Sequence, residues 1–205
     1  MERARDQPEL IMPKISANSL MTLESYAKAR KEFRTQVIAH KKQRTAHLGE
    51  NVTLIFEDEL TVRYQVQEML RVERIFEEAG ILGELEAYNP LIPDGNNWKA
   101  TMLIEYPDER ERHAMLARLK GVEDRVWVQI AGNDRVYAIA DEDLDRENEE
   151  KTSSVHFLRF EISSAMKQAL IDGSDLKMGI DHSVYTAEIV VPAVITQSLV
   201  RDLEA

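Results

Sequence analysis

Five side chains in the first third of the chain could do chemistry together: His40, Arg44 and His47, then Gln65 and Glu68. Phe33, Val37, His40, Arg44 and His47 recur at intervals of four, three, four and three, the spacing of one helical stripe. Its first half is apolar and its second half basic. Gln65 and Glu68 lie three apart and share a face of the next helix. If the two helices pack face to face, imidazole and guanidinium meet amide and carboxylate. Glu68 or His40 would then carry a proton and Arg44 would neutralise a negatively charged ligand. A small anion fits this set. A metal ion fits it less directly, because His40 and His47 are two turns apart, about 10 Å along the axis. An ion would need one of them, Glu68 and a ligand from elsewhere, such as His156 or Glu161. The same five residues also serve a hydrogen-bonded network that fixes helix packing.

The elements that must position them read as follows. Thr22 caps a helix over about 22–30, and a second or continued helix runs to about 47, stopped by Gly49. "NVTLIFE" is a strand at 51–57. The stretch "YQVQEMLRVERIFEE", from Tyr64, belongs to a long helix over about 59–79. Its apolar positions cover so much of the circumference that protein should surround it, with Gln65, Glu68 and Glu73 in covered directions. "AYNPLIPDGNNW" is a loop with turn chemistry at Pro93-Asp94-Gly95 and Trp98 as an anchor. "KATMLIEY" is a strand, "PDERERHAMLARLKG" a helix, and "RVWVQIAGNDRVYAIA" a hairpin around Gly132. "SVHFLRFEI" is a strand whose His156 alternates with Leu158 and Phe160 and so faces the core. Then come a helix capped by Ser163 or Ser164, two strands joined around His182, and a terminal helix from Pro192. The sum is an α+β fold: a mixed or largely antiparallel sheet of about seven strands with packed helices, one long central helix and an N-terminal helical segment. Residues 1–15 form a tail and 16–205 one domain.

Composition narrows the function classes. The chain has 205 residues, 43% of them hydrophobic and 31% charged, and no stretch resembles a membrane span or a secretory signal. Without cysteine it holds no disulfide, thiol nucleophile or iron–sulfur cluster of its own, and the reading is a cytoplasmic protein. The net charge of −11 is uneven. Residues 28–44 hold seven Lys or Arg against Glu32, a local +6 that leaves −17 for the remainder. Such a stripe suits an acidic partner, a phosphate, or a second copy in a homo-oligomer. Nucleic acid is disfavoured by the acidic remainder and the lack of interleaved aromatics. "DEDLDRENEEK" places Asp141, Asp143 and Asp145 as a calcium loop would, but Arg146 and Thr152 replace the glycine and the final glutamate. It reads as a solvated acidic helix or loop. P-loop, dinucleotide and G-x-S-x-G motifs are absent.

Three passages carry a resemblance: "FRTQVIAHKKQRTAHLGENVTLIFEDELTVRYQVQEMLRVERIFEE", "YNPLIPDGNNWKATMLIEYPD" and "RVWVQIAGNDRVYAIADEDLDRENEEKTSSVHFLRFE". From about residue 20 to 161 the chain resembles an uncharacterised bacterial domain-of-unknown-function family. Its members are often encoded near rubrerythrin and a heterodisulfide-reductase-like iron–sulfur protein. The resemblance implies an accessory role beside peroxide or redox chemistry, with a protein partner in that system and with no cofactor or catalytic residue to carry over. The expectation is therefore an accessory protein that docks through its basic helix. The alternative is a small-anion or metal-dependent binding protein or enzyme built on His40, Arg44, His47, Gln65 and Glu68.

Overall fold

The computed structural model describes residues 15–142 and 150–204. Helix α1 (Leu23–Lys41) begins where the Thr22 side chain accepts from the Ser25 N–H. Tyr26 and Val37 are its buried residues. The stripe proposed from the sequence holds from Phe33 to His40 and then leaves the helix. Residues 45–57 form a hairpin, β1 (Thr45–Leu48) and β2 (Val52–Glu57), so the helix expected to reach residue 47 ends at Lys41. Period-two burial decides this stretch: Ala46 and Leu48 point inward while His47 points out. Gly49 turns the hairpin at φ 77°, with the Tyr185 hydroxyl packed where a Cβ would sit.

Helix α2 (Glu59–Val72) starts on an Asp58–Thr61 capping box. The long helix expected over 59–79 is broken. Arg74 adopts φ 55°, and the Ile75 N–H donates back to the Leu70 carbonyl, which is a Schellman stop with arginine in the usual glycine place. Helix α3 (Glu78–Tyr88) follows. Then come β3 (Asn97–Ile104), α4 (Glu109–Arg118), β4 (Val126–Ile130), β5 (Val136–Tyr137), β6 (Ile139–Ala140), β7 (Val155–Glu161), α5 (Ser164–Ile171), β8 (Leu176–Asp181), β9 (Thr186–Val190) and α6 (Ala193–Val200).

The fold is α+β, and its described strands pair antiparallel throughout, in two sheets rather than one. One has the order β1-β2-β3-β7-β6 and the other β5-β4-β8-β9. β5 and β6 are a single extended run, parted at Ala138, that leaves one sheet and enters the other. On the opposite side the Tyr185 hydroxyl donates to the Leu48 carbonyl at 2.6 Å and accepts from the Asn51 N–H at 3.1 Å. The inner faces share one core, including Leu54, Phe56, Met102, Phe160, Val128 and Met178. Trp98 is fully buried there, its indole N–H on the Leu199 carbonyl, so it anchors the loop before β3. A second apolar cluster joins Ile15, Val62, Val66, Leu70, Leu85 and Ile92. Residue 15, placed by the sequence reading in the tail, is thus docked; residues 1–14 and most of the acidic run, 143–149, lie outside the described residues. Among the described residues, no helix is long and apolar enough to cross a membrane.

Candidate functional site

Two of the five sequence-predicted residues meet. His40 Nε2 lies 2.5 Å from Asp58 Oδ2, and the Arg44 guanidinium lies 3.5 Å from the same oxygen. Arg44 is 1% exposed, and its whole fork is engaged. Nε donates to the Phe56 carbonyl, Nη2 to the Glu57 carbonyl and Asp202 Oδ2, and Nη1 to Ser198 and Asp202 Oδ1. Five N–H groups on five acceptors leave none for a ligand. Arg44 therefore clamps the end of β2 to the C-terminal turn, and the anion-neutralising role expected of it is set aside. Burial opposes the Asp58 charge, but Arg44, the Thr61 N–H and His40 outweigh it and hold the carboxyl below its ordinary pKa. Burial wins at Asp202 and pushes it up to about 6 despite Arg44.

Glu68 belongs to a separate cluster. It accepts from Arg30 Nε at 2.7 Å and Nη2 at 2.8 Å, from the Tyr26 hydroxyl at 2.7 Å, and from Arg71. The Arg30 hydrogen bonds lower its pKa to about 2. α1 and α2 do pack together, with Phe33 edge-on to Tyr64 at 5.9 Å. The register differs from the expected one. Glu68 sits ten residues along α2 from Asp58, about 15 Å at the helical rise. Gln65, expected to be covered, is exposed, as is Glu73; the covered amide is Gln67, which accepts from the Met21 N–H at 2.7 Å. His47 is exposed on β1, its Nδ1 3.1 Å from Thr53 Oγ1. His40, Arg44, His47, Gln65 and Glu68 thus form no single pocket.

His47 instead borders a groove of about 610 Å³ between the two sheet edges. Its walls are Ile38, Ala46, Ile189, Val190, Pro192 and Ile195, with Lys41, Lys42 and His47 on the rim. Val190 and Ile38 are 62% and 42% exposed. The edges are tied at Leu48 and Tyr185 and open toward Thr45 and Val190. Lys31, Arg34, Ile38, Lys41 and Lys42 occupy one sector of α1, roughly 100° wide, which extends the basic rim along the helix.

A third cluster joins Glu123, Asp141 and His156. Each offers one ligand atom, and these atoms lie within 4.8 Å of one another. His156 is fully buried; its Nδ1 is 2.5 Å from Asp141 Oδ2, and its Nε2 is 3.1 Å from Thr152 Oγ1 and 3.9 Å from Glu123 Oε2. Glu161, weighed beside His156 as a ligand, instead pairs with Arg159.

The family described as "Protein of unknown function (DUF3501)" matches residues 14–203. The chain belongs to the DUF3501 family. No curated protein matches it. It is similar to a protein of unknown function from Burkholderia pseudomallei K96243, known from a crystal structure, with 51% identity and a TM-score of 0.89 over 94% of this chain and 100% of that one.

In this DUF3501 chain the residues that sequence reasoning missed share a cause. Asp58 is legible as a helix cap, but Asp202 lies 158 positions from Arg44 and no local pattern connects them. Glu123 stands in a short 3-10 turn, Glu123–Arg125, with no periodic signal. His156 is readable as inward-facing from its alternation with Leu158 and Phe160, whereas its two acids come from other elements.

Proposed function

We propose that the protein is a cytoplasmic accessory protein that docks an acidic segment of a partner protein along α1 and into the groove between β1 and β9. The observation that carries this is a basic stripe continuous with an apolar slot. Lys31, Arg34, Lys41 and Lys42 have no ion-pair or hydrogen-bond partner for their side chains among the described residues, unlike Arg30 and Lys28, which pair with Glu68 and Glu24. Solvated cations beside exposed Ile38 and Val190 complement a segment that is acidic along one side and apolar along the other. The remainder of this chain, at −17, repels most acidic surfaces and so confines such a partner to this face. The resemblance of the sequence supports placing that partner in a redox or oxidative-stress system, with rubrerythrin and the associated iron–sulfur protein as the first to test.

The test is binding of each purified protein to the wild type, to the double reversal Lys41→Glu/Lys42→Glu, and to Arg110→Glu on α4 as control. The double reversal should weaken binding at least about tenfold and the control should not; affinity should also fall steeply between roughly 50 and 200 mM salt. Equal affinity for all three forms removes this surface, and a self-associating wild type that the double reversal makes monomeric assigns the face to a second copy instead.

A further inference from the structure

His156 is fully buried, with oxygen atoms against both ring nitrogens. On its Nδ1 side, Asp141 Oδ2 stands at 2.5 Å, and the other Asp141 oxygen accepts from the Phe157 N–H at 2.9 Å. Asp141 reaches this position with φ 46°, a left-handed conformation that costs a non-glycine residue about 1 kcal/mol or more. A carboxylate held on Nδ1 fixes the orientation of the ring, as it does behind metal-bound imidazoles. Nε2 faces Thr152 Oγ1 and the Ser153 carbonyl at 3.1 Å and Glu123 Oε2 at 3.9 Å, and the Thr152 hydroxyl donates to Glu123 Oε2 at 3.4 Å. The 3.9 Å distance is too long for a hydrogen bond. Two ligands with bonds of about 2.1 Å stand roughly 3.0–3.4 Å apart at octahedral or tetrahedral angles, so the Glu123 carboxylate would close on an ion by about half an ångström.

We propose that His156 Nε2, the Glu123 carboxylate and the Thr152 hydroxyl bind one first-row divalent cation, with Asp141 as the positioning residue behind the imidazole. One imidazole with oxygen donors and no sulfur selects the Zn²⁺, Fe²⁺ and Mn²⁺ class over Cu⁺. Thr152 is 1% exposed and Glu123 8%, so a bound ion would exchange part of its water for these donors. The site shares no residue with the docking face and stands or falls separately.

The test is titration of chelator-treated protein with Zn²⁺, and with Co²⁺ as a spectroscopic probe, in the wild type, Glu123→Gln, Asp141→Asn and His156→Gln. A His47→Asn/His113→Asn/His182→Asn triple variant controls for binding at the histidines of β1, α4 and the β8–β9 turn. The wild type and the control should bind one equivalent and show nitrogen–oxygen ligand-field bands with Co²⁺. Glu123→Gln and Asp141→Asn should weaken binding by about 10–100-fold, and His156→Gln should abolish the bands. Circular dichroism establishes that each variant is folded, and near-isosteric Glu123→Gln carries the decision if His156→Gln is not. No stoichiometric binding by folded wild type overturns the site; so does full affinity in Glu123→Gln, or loss of binding in the triple variant alone.

Discussion

At the residue scale, one guanidinium serves two carboxylates. Arg44 holds Asp58 ionised while Asp202, the more deeply buried acid, is pushed up to about 6. A raised carboxyl pKa means that the folded state binds the proton more tightly than the unfolded chain does. Asp202 therefore favours folding most at low pH, and that contribution declines as pH rises from about 4 through about 6. Its size is at most about 3 kcal/mol, from roughly 1.4 kcal/mol per pKa unit. Asp202→Asn should flatten this slope in urea melts recorded between pH 4 and 7. Glu68 has the opposite sign. Its pKa is lowered to about 2, so its contribution is present above the ordinary 4.5 and is lost as pH falls from there toward 2. Arg30 is partly exposed, and screening reduces the pair to on the order of 1 kcal/mol. Glu68→Gln should cost about that much at pH 7 and little at pH 2.5.

At the scale of elements, the break between α2 and α3 rests on one strained residue. Arg74 holds a left-handed backbone where glycine is at ease, so Arg74→Gly should stabilise by about 0.5–1 kcal/mol. Arg74→Ala should not, and thermal melts separate the two. In the four-stranded sheet, β8 passes Trp127 at a point where only glycine fits. A Cβ on Gly179 would lie 2.5 Å from the Ala187 carbonyl oxygen and would also strike the Trp127 ring. Backbone on one side and a buried indole on the other cannot both yield. Gly179→Ala should cost about 2–3 kcal/mol in denaturant melts.

For the whole molecule, the two sheets are joined at one side by covalent chain at Ala138 and at the other by the Tyr185 hydroxyl. Tyr185→Phe deletes both of its hydrogen bonds and should lower stability by about 1–2 kcal/mol. Amide exchange should accelerate at Asn51 and along β1 while β3 and β7 remain protected. Unchanged exchange at Asn51 would show that the two edges hold together without that hydroxyl.

Residue order alone determined much of this protein. Burial periodicity and turn chemistry placed β2, β3, β4, β7, β8, β9, α4, α5 and α6, and the α+β class followed from their alternation. Those signals are local, since a strand's period of two and a helix's cap are written within a few residues of one another. The packing of α1 on α2 was also legible, through Phe33, Val37 and His40. Tertiary structure decided the rest. It ended α1 at Lys41 because Ala46 and Leu48 gain a sheet core. It gave Glu68 to Arg30 rather than to His40 because helix register depends on the whole contact face. It matched Arg44 with Asp202, and Glu123 with His156, across long separations. A buried charge takes whichever counter-charge the fold brings near, and nearness in space is not encoded in the spacing of the residues concerned.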